Sequence, residues 1–218
     1  MGDHSDSPVR EEFFDIYDEA RQPIGTASRS EVHAKGYWHR SIHCWLARND
    51  NSRKLVMFQL RHADKDTFPS CFDITAAGHL QAGETMEEAA RELEEELGIQ
   101  AAFDTLLPLG HTRKEAVGTA RGIPFIDREI SEVFGFVYDA PPASLRLQTE
   151  EVAGVYEAEL AAMIALFEGK TEQLIAEGVE PGPDGVLRES ARLVQASSFV
   201  PRQASYYIDV FRALLKIV

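Results

Sequence analysis

The chain has 218 residues, of which 44% are hydrophobic and 27% charged, so it is long enough for one well-packed globular domain. Its net charge of −14 disfavours binding to nucleic acid or to an anionic membrane, so an anionic substrate would need metal ions or a local basic patch. No membrane span or signal peptide is predicted, and Cys44 and Cys71 are expected to be buried thiols of a cytoplasmic protein.

The chain ahead of residue 78 is predicted to consist of short strands. Residues 1–10 are predicted to be a flexible tail. FFDIYDEARQPIGTASR is predicted to form two short strands around a turn at Gln22–Pro23. Alternating polarity predicts further strands at 39–48, 54–63 and 71–77.

At Gly78 the pattern changes from strand to helix. Thr85 has the position of an N-cap, and Glu88 three residues later completes a capping box. The helix is predicted to continue to Leu97, because Gly98 is the residue type that commonly ends a helix.

The remaining pattern predicts more strands than helices and no regular alternation between them, which indicates an α+β fold. The predicted elements are strands at 102–111 and 130–138 around a polar loop, a strand at 149–159, a helix at 157–168, a linker at 178–185 and a helix at 202–217. The main domain is predicted to span 11–160, with a helical C-terminal extension at 161–218 packed on it.

The helix after Gly78 is rich in glutamate. Placed at about 100° per residue, Leu93 and Leu97 lie on the arc that would face the sheet, whereas Glu92, Glu95 and Glu96 lie on a neighbouring arc. One interpretation is a solvated helix face. The other is that these carboxylates hold hard cations such as Mg²⁺, which could bridge a diphosphate and lower the pKa of a bound water.

The segment GHLQAGETMEEAARELEEELGI closely resembles the Nudix box, G-x5-E-x7-R-E-U-x-E-E-x-G-U, in which U is a bulky aliphatic residue. The spacing between Glu84 and Arg91 is one residue shorter than in the family's pattern, which puts the direction of Glu84 in question. The nine defined positions are filled by Gly78, Glu84, Arg91, Glu92, Leu93, Glu95, Glu96, Gly98 and Ile99.

The resemblance implies a mixed β-sheet sandwiched between helices and a hydrolase that cleaves a diphosphate linkage with Mg²⁺ or Mn²⁺. The implied metal ligands are Glu92, Glu95, Glu96 and Glu132, and the implied catalytic residues are Glu95, Glu92, Arg91 and Glu132. Glu129 is a second candidate for the further carboxylate, with surface charge as the alternative for both. Gly78 and Glu84 are the candidate substrate-binding residues of the box. Arg113, in a basic cluster within the loop at 111–122, is a further candidate that would offset phosphate charge, with a solvated surface loop as the alternative. A small-molecule diphosphate is the expected partner, and a homodimer is possible within the family.

Three histidines have a separate resemblance. The stretch EVHAKGYWHRSIHCWL is similar to the entry of the isopentenyl diphosphate isomerases and of the hydrolases that resemble them. There, two histidines near this entry and one after the box glycine bind a metal, which implies a second metal at His33, His39 and His79. Each could instead be a hydrogen-bonded structural histidine, as His43 is expected to be.

Three functions follow from these patterns. Hydrolysis of a nucleoside-diphosphate-type substrate is the leading hypothesis, and a catalytically silent ligand-binding protein with the same fold is the alternative. Isomerase activity ranks behind both, because that enzyme requires a cysteine immediately before the box glycine, where this chain has Ala77. Alanine cannot exchange a proton with substrate.

Overall fold

The computed structural model describes residues 11–65, 67–120 and 122–218, so the predicted tail at 1–10 lies outside the described residues. The strands are β1 (Phe13–Tyr17), β2 (Pro23–Ser28), β3 (Trp38–Asp50), β4 (Arg53–Arg61), β5 (Phe72–Asp73), β6 (Ala76–His79), β7 (Leu107–Ala120), β8 (Ile123–Val137), β9 (Val152–Glu159), β10 (Leu174–Pro181) and β11 (Leu187–Val194). The α-helices are α1 (Arg29–Lys35), α2 (Met86–Ala89), α3 (Glu92–Leu97), α4 (Leu160–Phe167) and α5 (Ala204–Leu214).

The sheet is mixed and is organised around β3. Its main order is β11-β10-β9-β4-β3-β1-β2, and β3 also pairs antiparallel with β6 and parallel with β8. The parallel pairing joins His39 to Glu129 and His43 to Val133 across the two strands. Because β3 borders both β6 and β8, it brings the strand before the glutamate helix close to a strand that begins well after that helix ends.

The alternation of side chains along β3 divides the core between the two faces of the sheet. Trp45 and Ala47 pack with residues of α4 and α5 on one face. Ile42, Cys44 and Leu46 pack with residues of α2 and α3 on the other. The predicted α+β fold, with helices on both faces of a mixed sheet, is confirmed.

The polar loop predicted between two strands is instead part of a long hairpin. β7 and β8 pair from Leu107 opposite Gly135 to Ala120 opposite Ile123, with φ of +81° at Gly122 in the turn. The outer half of this hairpin is partly exposed on both faces, as Val117 at 73% exposure shows. A strand that buries neither face need not alternate apolar and polar residues, so the sequence of this segment resembled that of a loop.

The C-terminal part is not wholly helical, which corrects the prediction for 161–218. The run predicted as a linker at 178–185 lies in the hairpin β10–β11, which extends the sheet by pairing with β9. Pro181 ends β10 and Gly185, with φ of +75°, lies in the turn. The proline and glycines therefore mark a hairpin turn rather than a break between units.

Several other elements match the predictions, including the strands near 39–48 and 54–63 and the helix α5. Cys44 is buried as expected, whereas Cys71 is only partly buried, and both are free thiols. Within the described residues, no helix is both long and apolar enough to cross a membrane.

Candidate active site

A cavity of about 710 Å³ lies between α3 and the strands β3, β6 and β8. Its lining includes residues of the box and of the histidine cluster, together with side chains from the loop after β4 and from the segment before α5. Among the lining residues are His33, His43, Ala77, Gly78, His79, Arg91, Glu92, Glu95, Glu96, Lys114, Asp127, Glu129 and Arg202.

The predicted single helix through the box is interrupted at Ala90–Arg91, which separates α2 from α3. Around the break the backbone forms i→i+3 hydrogen bonds, from Arg91 N–H to Glu88 O at 3.1 Å and from Leu93 N–H to Ala90 O at 3.2 Å. Such a turn uses about 3.0 residues rather than 3.6. The tighter turn therefore compensates for the box being one residue shorter than the family's pattern. α3 then starts at Glu92, the first of the three glutamates predicted to bind metal.

Arg91 joins the glutamates of the box. Its Nε donates to Glu84 Oε1 at 2.8 Å, and its Nη1 donates to Glu92 Oε1 at 2.8 Å and to Glu95 Oε2 at 2.7 Å. Glu84 therefore faces Arg91 and is not among the cavity-lining residues. Glu84 fixes the orientation of the Arg91 guanidinium, and the guanidinium in turn fixes the positions of the Glu92 and Glu95 carboxylates.

Gly78 gives Glu92 its space in the cavity. A Cβ atom on residue 78 would lie 2.1 Å from both Cδ and Oε1 of Glu92, which is too close for any side chain. Glu96 is 4% exposed and accepts hydrogen bonds from Gln59 Nε2 at 3.2 Å and from Ala77 N–H at 3.3 Å. β6 thus leaves space for Glu92 at Gly78 and binds Glu96 through Ala77 N–H.

The carboxyl groups of Glu92 and Glu96 fit a cation-binding role. Burial raises the pKa of Glu92, and burial followed by the charge of Glu92 raises the pKa of Glu96 to about 8. Burial thus disfavours the ionised form of both carboxyl groups, and a bound divalent cation would favour it.

The histidines form a second group in the same cavity. One ligand atom from each of His33, His39, His79 and Asp127 lies within 4.8 Å of all the others. These residues come from α1, β3, β6 and β8 respectively. Within the described residues, His39 Nε2 and Asp127 Oδ1 are buried and have no hydrogen-bond partner, as expected for ligand atoms that face an ion.

The electrostatics of this group also suit a metal. Burial lowers the pKa of His39 and lowers that of His79 to about 3, so both imidazoles are neutral, which is the form that binds metals. Burial and then the charge of Glu129 raise the pKa of Asp127 to about 7. The ring of Phe14 stacks on His39 and His79 at 5.4 and 5.1 Å between centroids, which shields the group from solvent.

Two predicted residues are not brought to the cavity. On β8, Asp127 and Glu129 share one face, whereas Glu132 has the opposite parity and lies on the face of the buried Phe134. Arg113 donates to Glu19 at 3.1 Å and lies over the ring of Trp38 at 4.0 Å instead of lining the cavity. The next residue, Lys114, lines the cavity in its place.

Glu129 is the cavity carboxylate on β8. It lies 3.2 Å from His79 Nε2, and the charge of Lys114 and the hydrogen bond from His79 hold its pKa well below the usual range against the effect of burial. His43 is buried, and its Nδ1 forms a hydrogen bond with the Tyr206 hydroxyl at 2.9 Å, in keeping with the structural role expected for it.

The sequence reasoning missed α1 and Asp127. A signal for α1 was present, because Ser28 caps it by accepting from Glu31 N–H and Gly36 ends it with φ of +69°. No comparable local signal marks Asp127, since its place beside the histidines depends on the parallel pairing of β3 with β8.

Comparison with known proteins places this geometry in a family. The model of the NUDIX domain matches residues 37–182, which include the whole box and the pairing of β3 with β8. The chain belongs to the Nudix family. As a Nudix hydrolase, it acts on the diphosphate bonds of nucleoside-diphosphate-linked compounds, and such enzymes generally require a divalent metal such as Mg²⁺.

The relatives support this assignment over nearly the full chain. An uncharacterised Nudix hydrolase of Clostridium acetobutylicum is 37% identical over 208 residues, covering 95% of this chain and 98% of that protein. Nudix hydrolase 3 of Arabidopsis thaliana is 37% identical over 151 residues, covering 67% of this chain and 19% of the plant protein. The crystal structure of DR0079 from Deinococcus radiodurans shares the fold, with a TM-score of 0.51, 20% identity and coverage of 72% and 90%.

Proposed function

We propose that this chain hydrolyses the diphosphate bridge of a small nucleoside-diphosphate-linked compound, with Mg²⁺ or Mn²⁺ held by Glu92, Glu95 and Glu96. The observation that carries this proposal is that the partly buried carboxyl group of Glu92 and the buried one of Glu96 line the same cavity and have raised pKa values. When bound, a divalent ion would bridge phosphate oxygens and lower the pKa of a water molecule.

The chain's own residues have separate tasks in this proposal. Arg91 orients Glu92 and Glu95 through its Nη1 atom, and Gly78 leaves the space that Glu92 needs. Glu95, whose side chain is 52% exposed, can meet water and is the proposed general base. Because Glu132 lies on the other face of β8, Glu129 takes the proposed role of the further carboxylate.

We also propose that His33, His39 and His79, joined by Asp127, bind a transition metal ion. Imidazole and carboxylate ligands suit ions such as Zn²⁺ or Mn²⁺. The clustering of the four ligand atoms within 4.8 Å supports this second site. Resemblance to the isomerase-like subgroup remains a prediction, as does a homodimer.

The isomerase alternative gains no support from the cavity. Ala77 lines it at the position where the isomerase would need a cysteine. Cys71 is not among the lining residues, so within the described chain no thiol faces the substrate space. The binding-protein alternative rests on the interrupted helix, which could hold the glutamates away from a productive arrangement.

The test measures phosphate-ester products across a panel of ADP-ribose, NADH, dinucleoside polyphosphates, nucleoside triphosphates and coenzyme A. Each compound is incubated with Mg²⁺, with Mn²⁺ and with chelator. We expect chelator-sensitive turnover of one class, lost in Glu92→Gln and Glu96→Gln but kept in Glu94→Gln, whose exposed carboxylate bonds Gln100 instead. Binding of a compound without turnover, from folded protein with metal, would favour the binding protein.

A further inference from the structure

A second cavity, of about 690 Å³, lies beside the active-site cavity and has no part in the function described so far. One wall is the β7 segment 109–115, and the other is the segment 201–210 that contains the start of α5. Lys114 and Arg202 line both cavities. The two spaces therefore meet at two cationic side chains.

Arg202 has unused hydrogen-bonding capacity at this junction. Its side chain is 8% exposed, and Nη1 donates to Asp73 Oδ1 at 2.7 Å. Its buried Nε has no hydrogen-bond partner within the described residues. A buried guanidinium N–H without a partner is costly, and an anionic ligand oxygen is the partner that best satisfies it.

The backbone of both walls offers further donors. In the described part of the chain β7 pairs with β8 alone, so its other edge presents backbone N–H groups without strand partners. The N-cap residue of α5, Gln203, forms no side-chain cap hydrogen bond. Tyr206 N–H donates to Gln203 O at 3.0 Å, so the N–H groups of Ala204 and Ser205, at the start of this 11-residue helix, are left without an acceptor among the described residues. The helix dipole favours an anion there.

The acidic groups of the second cavity do not cancel this positive character. Glu115 is paired with Arg128 at 2.8 Å, which leaves Asp209 as the other carboxylate in the lining. By contrast, the active-site cavity carries the box glutamates, Asp127 and Glu129. Lys114 and Arg202 each have an acidic partner, Asp127 at 3.6 Å and Asp73 at 2.7 Å. The donor that remains for an anion at their junction is therefore the buried Nε of Arg202, next to the start of α5.

We infer that the second cavity binds a phosphate group that the substrate carries in addition to its diphosphate bridge. The bridge would lie at the box glutamates, and the extra phosphate would reach Arg202, Lys114 and the start of α5. This inference rests on the proposed hydrolase function and names its substrate class: diphosphate-linked compounds that bear a further phosphate on one half.

The test uses two pairs of compounds that differ by one phosphate outside the bridge, NADPH with NADH and coenzyme A with dephospho-coenzyme A. Equilibrium binding is measured by calorimetry in chelator, and kcat and KM are measured with Mg²⁺. For at least one pair we expect the phosphorylated member to have an about tenfold lower Kd and KM, with a similar kcat, as for a charge-assisted hydrogen bond.

Arg202→Gln and Ser205→Trp are the two test variants. The first removes the guanidinium, and the second fills the cavity from an exposed position of α5 without touching the Arg202–Asp73 ion pair. Both are expected to bring the Kd ratio of the pair close to one. Arg192→Gln, which removes an exposed arginine of β11 far from this lining, is expected to keep the ratio.

The two proposals fail in different ways. Equal binding of both members by the unaltered protein, or a ratio that Ser205→Trp leaves unchanged, would overturn the second-cavity inference whether or not hydrolysis occurs. A preserved Kd preference without turnover of any compound would keep the inference and remove the hydrolase proposal. If Arg202→Gln does not fold, Ser205→Trp decides the outcome.

Discussion

The glutamate cluster and the histidine cluster share one cavity but are built in different ways. Arg91, Glu92, Glu95 and Glu96 lie within six consecutive residues, so the backbone of α3 and the residue before it sets their arrangement. The histidine cluster draws its members from α1, β3, β6 and β8. Its geometry exists only when the sheet is assembled.

The two clusters also differ in how the protein balances their charge. A resident cation, the guanidinium of Arg91, lies between Glu92 and Glu95. In the other cluster, burial lowers the pKa of His39 and of His79, so both are neutral, and His39 Nε2 has no hydrogen-bond partner among the described residues. If both proposed metal sites are occupied, we expect the glutamates to exchange their ion with solvent more easily than the histidines do.

The largest effect is expected from Gly78→Ala, which tests how strictly the glutamate cluster depends on its space. The new Cβ would displace Glu92, so we expect kcat to fall about 10²–10⁴-fold, as in Glu92→Gln. The double variant should be no slower than either single one, because both remove the same group.

Gly83→Ala is the matched control for Gly78→Ala. Gly83 has φ of +79° and open space around its Cβ position, so alanine there should cost about 1 kcal/mol of stability and leave kcat unchanged. Full activity in Gly78→Ala would show that Glu92 does not need its observed position.

A second prediction separates the clusters by metal content. His39→Ala and Asp127→Asn should lower affinity for one Zn²⁺ or Mn²⁺ per chain by at least 10–100-fold, since each removes a proposed ligand. Metal analysis after dialysis and calorimetry would measure this loss. Glu96→Gln and His62→Ala, which lie outside the four-residue group, should retain the ion. Equal metal content in all four variants would argue against the histidine site.

The third prediction is that the metal-free clusters respond to pH in opposite directions. Glu96, with its pKa raised from 4.5 to about 8, keeps a proton that the unfolded chain releases, so it lowers stability as pH rises from about 4.5 to 8. His79, with its pKa lowered from 6.5 to about 3, stays neutral while the unfolded chain is protonated, so it lowers stability as pH falls from about 6.5 to 3.

Urea denaturation in chelator would measure both slopes. Relative to the unaltered protein, Glu96→Gln should gain stability towards pH 8, and His79→Asn should gain it towards pH 4. A difference in unfolding free energy that is constant with pH would contradict the assignment of either group.

The smallest effects are expected from the helix caps that precede each cluster. Ser28→Ala removes the cap of α1, which carries His33, and Thr85→Ala removes the capping box of α2. Each should cost about 1 kcal/mol in unfolding free energy. Ser28→Ala should also weaken metal binding at the histidine cluster, whereas Thr85→Ala should not, which a zinc titration of the two variants would compare.

Local patterns in the sequence were sufficient for the glutamate cluster. The capping box at Thr85, the apolar arc through Leu93 and Leu97, and Gly98 with φ of +71° are all signals between near neighbours, and the structure contains each. The same kind of signal located β3, β4, β9 and α5, because the three strands bury apolar side chains on both faces and α5 buries one apolar face.

The tertiary structure decided the rest through contacts between distant residues. The parity of β8, fixed by its pairing with β3, brings Asp127 and Glu129 to the cavity and directs Glu132 away. The outer part of β7–β8 buries little apolar surface, so its sequence carries no strand period. A local sequence pattern shows which face of an element is buried, whereas the residues that it contacts across that face depend on strand register. The box was therefore predictable from the sequence, and the histidine–aspartate cluster only partly so.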